Sequence, residues 1–190
     1  MSKHEEIFTF NVNGWFDYRS IYDEVLKLFK DKEGEVVLVE IGLWQGMSFS
    51  YLVDKASEYK NYKVYGVDHF QGDIDNPREQ ELIGQLDNSL KDTFDTNMKK
   101  MELKEGVDYT LVQSDSIKAA SFVPDVDFVF IDGGHLEKQV TEDINTWLPK
   151  VKKGGIIAGH DYDASGVQEA VINKFGSNFI TRNGSWIYYA

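Results

Sequence analysis

Four chemically capable side chains follow two apolar runs. Asp132 and His135 come after Val126–Ile131, and His160 and Asp161 come after residues 155–159. Continuous apolar runs of this kind read as strands buried on both faces. If the two strands are parallel neighbours, Asp132, His160 and Asp161 converge on one mouth. Two carboxylates and an imidazole suit a divalent cation. Magnesium prefers all-oxygen ligands and keeps waters, so a direct His160 ligand moves the expectation toward manganese or another borderline metal. Such a cation lowers the pKa of a hydroxyl and fixes its orientation. His135, an imidazole that titrates near neutrality, is a candidate general base. The same residues admit plainer roles. Asp132 could cap the helix that starts near Glu137, His135 could be a solvated loop residue, and His160-Asp161 could be an internal hydrogen-bonded pair.

A second constellation lies earlier in the chain. Glu40-Ile-Gly-Leu-Trp-Gln-Gly46 follows an apolar run, and its two glycines let the backbone approach a ligand closely. A dinucleotide fingerprint would place a glycine where Trp44 stands, so a pyrophosphate would clash. No Gly-Lys-Ser/Thr follows, which excludes a P-loop. The next apolar run ends at Asp68, where a carboxylate can accept hydrogen bonds from ribose hydroxyls. Together these features point to an adenosine-type ligand without a diphosphate.

Alternating elements must position both constellations. Helical apolar spacing runs through 16–30 (Ile21, Val25, Leu28, Phe29), and 47–59 reads as a helix opening after Gly46. Strands are expected at 35–41, 62–68, 109–113, 126–131 and 155–159. Further helices are expected at 79–101, 117–122, 137–151 (ending at Gly154-Gly155) and 167–175. Asn183-Gly184 between two β-rich segments signals a hairpin. Strand–helix alternation implies an α/β, Rossmann-like, doubly wound sheet of seven strands. It should be mostly parallel, with helices on both faces and a C-terminal antiparallel hairpin. Residues 1–190 read as one domain, with an N-terminal arm and helix at 1–34 and a lid-like insertion at 69–108. His69, Phe70, Gln71, Asp73 and Arg78 in the insertion could touch the acceptor or be ordinary surface residues, and Asn13-Gly14-Trp15-Phe16 could fold over the site or only pack the first helix down.

At this point a family resemblance is plain. Val39-Glu-Ile-Gly-Leu-Trp-Gln-Gly46 resembles the first motif of class I S-adenosylmethionine-dependent methyltransferases, Tyr65-Gly-Val-Asp68 the second, and Gln113-Ser-Asp-Ser116 the segment after the third strand. The resemblance implies that the backbone around Gly42 lines the methionine part of the donor with Glu40 beneath it, that Asp68 grips the ribose and that Asp115 lies near the adenine. Trp44, Gly46, Ser48, His69, Ser116 and Asp132 complete the implied donor-binding set. The stretch from Asp132 to Tyr162 is similar to the metal-dependent O-methyltransferases of the catechol and macrolide-sugar types. That implies a divalent cation (Mg or Mn) at Asp132, His160 and Asp161, and catalysis by Asp132 and His135. The catechol type has Asp-Asn where this chain has His160-Asp161, which leaves open whether His160 binds metal directly or through water. His135 holds the position of that family's basic lysine.

Composition bounds the partners. The chain has 190 residues, no cysteine and a net charge of -12, so thiolate metal sites and disulfides are excluded. A field of this sign repels phosphate backbones and disfavours nucleic acid, whereas a sulfonium is a cation. No segment approaches the roughly 20 apolar residues of a membrane span. The expectation is a cytoplasmic enzyme acting on a small hydroxyl acceptor, such as a sugar or secondary metabolite; nothing in the sequence excludes a homo-oligomer. Three alternatives stay open: a metal-independent methyltransferase, a non-catalytic adenosylmethionine-binding module, and a non-haem iron oxygenase built on two histidines and a carboxylate. The scaffold usual for the last is a β-barrel, against which the alternation argues.

Overall fold

The computed structural model describes residues 16–74 and 76–190; the expected arm at 13–15 lies outside them. Helix α1 (Arg19–Phe29) buries Ile21, Tyr22, Val25, Leu26 and Phe29, a stripe at three- and four-residue spacing. Leu28 instead faces out, 55% exposed. Strands β1 (Val36–Ile41) and β4 (Val126–Ile131) are buried at every position, as continuous apolar runs require. Between them come α2 (Met47–Ala56), β2 (Tyr62–Asp68), α3 (Pro77–Gly84), α4 (Leu90–Lys100), β3 (Thr110–Gln113) and α5 (Ser116–Ala119). After β4 follow α6 (Glu137–Trp147), β5 (Val151–Gly159), α7 (Ser165–Phe175), β6 (Ile180–Arg182) and β7 (Ser185–Tyr189).

The seven strands form one sheet in the order β3-β2-β1-β4-β5-β7-β6. The first five are parallel, and β7 runs antiparallel to both of its neighbours. Asn183 and Gly184, both at positive φ, make the tight turn of the terminal hairpin. The chain builds outward from β1 to β3 and then returns to lay β4 on the other side of β1. That reversal opens a crevice beyond the carboxyl ends of β1 and β4. One apolar cluster, with Tyr18, Tyr22, Phe49 and Phe94, packs one sheet face. Another, with Val140, Ile144, Trp147 and Val171, packs the opposite face. No helix among the described residues is long and apolar enough to cross a membrane.

Two expectations are corrected locally. The single helix expected at 79–101 is two helices, because Ser89 caps a new start by accepting from Asp92 N–H. Asn76 caps α3 in the same way, with Pro77 in its first turn. Helix α3 buries no residue, whereas α4 buries Leu90, Phe94, Asn97 and Met98. Gly154-Gly155 does not end a helix but lies inside β5, where Gly154 N–H donates to Ala190 O and Ala190 N–H to Gly155 O. The C-terminal residue thus pairs this segment as a strand.

Asp127 anchors the end of the sheet away from the crevice. Its side chain is fully buried in β4, accepts from Val37 N–H at 2.8 Å, and pairs with Lys152 at 2.9 Å and with Lys32. Burial alone would raise its pKa; the two ammonium groups and the N–H override that and lower it. A lowered folded-state pKa stabilises above the unfolded carboxylate value of about 4 and is lost as pH falls through the folded value. Asp127→Ala is expected to cost about 3 kcal/mol in urea unfolding at neutral pH, with the deficit shrinking in acid.

Candidate active site

The strand ends stay in register for one residue past the ladder, and this brings the site together. Gly42 N–H donates to Val67 O, Asp132 N–H to Ile41 O, and His160 N–H to Ile131 O, at 2.8–3.0 Å. Gly42 has φ +84°, and a Cβ there would stand 2.0 Å from the backbone oxygen of Asp132. Only glycine permits this approach. The turn beyond it is braced by Asp68, which accepts from Leu43 N–H at 2.7 Å, Trp44 N–H at 3.1 Å and Phe70 N–H at 2.6 Å. Burial still raises the Asp68 pKa against these three donors.

A cavity of about 580 Å³ occupies the crevice, within the range of small-molecule sites. Gly42, Trp44, Ser48, Asp68, His69, Asp115 and Ser116 line it, and so do Asp132, His135, His160 and Asp161. Gly46 and Glu40 do not. Gly46 starts α2 at φ +90° and gives room to Met98 and Phe94. Glu40 lies fully buried behind the wall and accepts from Ser48 Oγ at 2.5 Å. Burial pushes its pKa up to about 8, so it is largely protonated at neutral pH. Of the insertion residues, Gln71, Asp73 and Arg78 line the cavity, while Phe70 is buried against Phe94.

The other end of the cavity concentrates charge. Asp132, His160 and Asp161 each offer a ligand atom within 4.8 Å of the others. His160 Nδ1 lies 3.3 Å from Asp161 Oδ2 and 3.5 Å from Asp132 Oδ1, while its Nε2 lies 3.0 Å from Asp17 Oδ1. His135 Nε2 meets the same Asp161 oxygen at 2.8 Å. Tyr18 Oη donates to Asp132 Oδ2 at 2.7 Å, its ring stacked on Phe130. Asp161 sits at φ +53°, a left-handed conformation that non-glycine residues seldom adopt. Burial opposes charge on His160, but Asp132 and Asp161 push its pKa up to about 11. Asp161 is held well below the usual carboxylate range: burial raises it, and the two imidazoles outweigh that. Hydrogen bonding to Asp161 raises His135. In this state protonated His160 neutralises the carboxylates, and a cation bound at Nδ1 would have to displace that proton.

Sequence reasoning missed Asp17, Tyr18 and Asp143. Tyr18 carried no motif. It reads as one more aromatic before an amphipathic helix, and only the fold shows that Asp17 and Tyr18, just ahead of α1, reach the residues that follow β4 and β5.

A family model for a methyltransferase domain matches residues 39–162, more than half of the chain. The chain belongs to this methyltransferase family. The match spans the Gly42 turn, Asp68, and the strand ends bearing Asp132 and His160. Solved structures of similar fold include the O-methyltransferase NovP (18% identity, 98% of this chain and 78% of that one, TM-score 0.67). CalS11, a TDP-rhamnose 3'-O-methyltransferase of calicheamicin biosynthesis, is 16% identical over 90% of this chain and 78% of that one (TM-score 0.62). MycE, a mycinamycin-pathway methyltransferase solved with Mg, SAH and mycinamycin VI, is 15% identical (TM-score 0.62); the match covers 99% of this chain and 52% of MycE.

The Gly42 contact is the most sensitive test of this methyltransferase geometry. Gly42→Ala should lower the melting temperature by several degrees, since the added Cβ meets backbone that cannot turn aside. It should also weaken donor binding at least about tenfold by calorimetry, because the turn that lines the cavity is displaced.

Proposed function

We propose that this methyltransferase moves the methyl group of S-adenosylmethionine to a hydroxyl of a small acceptor, with a divalent cation at Asp132, His160 and Asp161. One observation carries the reading: the Gly42–Asp68 turn and the Asp132–His135–His160–Asp161 cluster line one continuous cavity. The donor set fits the cation, since two carboxylates and an imidazole present atoms within 4.8 Å of one another. When bound, it would lower the pKa of the acceptor hydroxyl and orient it. MycE, solved with Mg and SAH, and the sugar-modifying CalS11 lend the reading support.

The chain's own residues supply the rest. The backbone around Gly42 and the Asp68 brace fix the donor end, so that the acceptor oxygen can face the methyl carbon in line with the departing sulfur. The oxygen–carbon bond forms as the carbon–sulfur bond breaks, leaving the thioether. His135 takes the hydroxyl proton, and its contact with Asp161 holds the ring in place. Tyr18 fixes the rotamer of Asp132 from behind, and Asp17 does the same for the ring of His160. Gln71, Asp73, Asn76, Arg78 and Gln139 give the acceptor end a polar wall suited to the hydroxyls of a sugar. A metal-independent reaction is favoured by one feature, the imidazolium of His160 that already offsets the carboxylates.

Removing divalent ions with a chelator is expected to abolish methylation across a panel of sugar and phenolic hydroxyls and to leave calorimetric binding of S-adenosylmethionine intact. Manganese or magnesium should restore turnover. Full activity in chelator would select the metal-independent reading, and no binding of the donor would remove both. His135→Asn should cut kcat by about 10²–10⁴ with donor affinity preserved. A base must be neutral to act, and Asp161 raises His135. In the wild type, kcat should therefore climb with pH through an ionisation above that of a free imidazole, a climb the variant lacks.

A further inference from the structure

One buried carboxylate in the cavity has no part in the chemistry above. Asp143 projects from α6, is 6% exposed, and lines the cavity beside Ser116. Ser116 Oγ donates to its Oδ1. Ser116 is itself pinned by the same helix, because Trp147 Nε1 donates to its backbone oxygen at 3.2 Å. No other described residue hydrogen-bonds this carboxylate, and its Oδ2 is not among the atoms sealed from solvent. A carboxylate this deep is costly unless its second oxygen meets a donor. It borders the cavity that would hold the methyl donor.

Asp115, which the sequence motif places near the adenine, is engaged elsewhere. It caps α5 by accepting from Lys118 N–H at 3.0 Å and pairs with Lys118 Nζ at 2.8 Å, its side chain 41% exposed. Among the described residues Asp143 has neither a cationic partner nor a capping duty. Burial, the largest cause, raises its pKa to about 6, with Ser116 pulling against that. It therefore remains mostly an acceptor at neutral pH.

We propose that Asp143, held by Ser116, reads the exocyclic amino group of the adenine in the bound donor. The inference rests on the reading of S-adenosylmethionine as that donor. The amino group presents N–H toward the free oxygen of Asp143. A hypoxanthine base presents a carbonyl oxygen at the same place, so two acceptors would face each other with no proton between them. A site built around a substrate N–H rejects an analogue lacking it far more strongly than a pocket discriminates by shape alone. Asp143 is thus a specificity-determining residue that touches the donor and takes no part in the transfer.

The test is calorimetric binding of S-adenosylhomocysteine and S-inosylhomocysteine to the full chain. The wild type should prefer the adenosyl compound by at least about 100-fold. Asp143→Asn offers an amide that can donate to the hypoxanthine carbonyl, so it should bind the inosyl compound more tightly than the wild type does. Asp143→Ala should compress the preference at least about tenfold without that gain. Asp115→Asn should leave the preference unchanged. Each ratio is measured within one protein, so a loss of stability common to both ligands cancels. An unchanged ratio in both Asp143 variants, or a collapse confined to Asp115→Asn, overturns the inference while leaving the donor reading standing. Failure of the wild type to bind either compound overturns the donor reading and the inference with it.

Discussion

The site depends on how closely the backbone ends of β1 and β4 approach each other. Gly42 can lie against the Asp132 carbonyl only because it has no side chain, and Asp132 N–H closes the contact by donating to Ile41 O. The sheet order puts these two strands side by side at the point where chain direction across the sheet reverses. The turn that follows β1 and the charged rim that follows β4 and β5 therefore face one cavity. A wider separation would divide the cavity into two sites, and a methyl group cannot cross such a gap in a single displacement.

Charge is the second constraint. Three carboxylates and two imidazoles crowd the rim, and they face one another: His160 lies among Asp17, Asp132 and Asp161, of which the last two raise its pKa against burial, and His135 leans on Asp161. Each group is costly to bury alone and tolerable only with its partners. The carboxylates of the rim are thus held by the imidazoles that face them. The left-handed backbone at Asp161 fits this picture, because a strained residue persists only where its surroundings over-determine it.

Much of this was legible in the sequence. Strands β2 and β4 ran as their apolar runs predicted, the Asn183-Gly184 hairpin formed, and the residues just past β1, β2, β4 and β5 gathered at one rim, because strand ends in a parallel sheet are neighbours by topology. What escaped was contact between segments distant in the chain. Ser89 broke the helix expected at 79–101 because a local cap outweighed a continuous apolar period. Gly154-Gly155 became strand because its partner, Ala190, lies at the far end of the sequence. Gly46 shared a motif with Gly42 yet faces Met98 and Phe94 from α4, a contact no local spacing reveals. Asp143 sat unremarked in a helical period, since burial of a single polar residue on an apolar stripe leaves no pattern.

The N-terminal helix shows why such distant contacts matter to function. Tyr18 and Asp17 precede the first turn of α1, and that helix is held to the sheet by Ile21, Tyr22, Val25, Leu26 and Phe29. The stripe packs against aromatic residues of β4, with the Tyr22 ring set edge-on to Phe128 and Phe130. Apolar packing of α1 therefore sets where two polar groups reach the rim, one on Asp132 and one on His160. A helix outside the β-α-β repeat thus completes the hydrogen bonding of residues that two internal strands deliver. Because Asp17 and Tyr18 lead directly into α1, the packing of the buried stripe also places these two polar contacts. The packing of an otherwise peripheral helix and the orientation of Asp132 and His160 are thus linked through the two residues that open it.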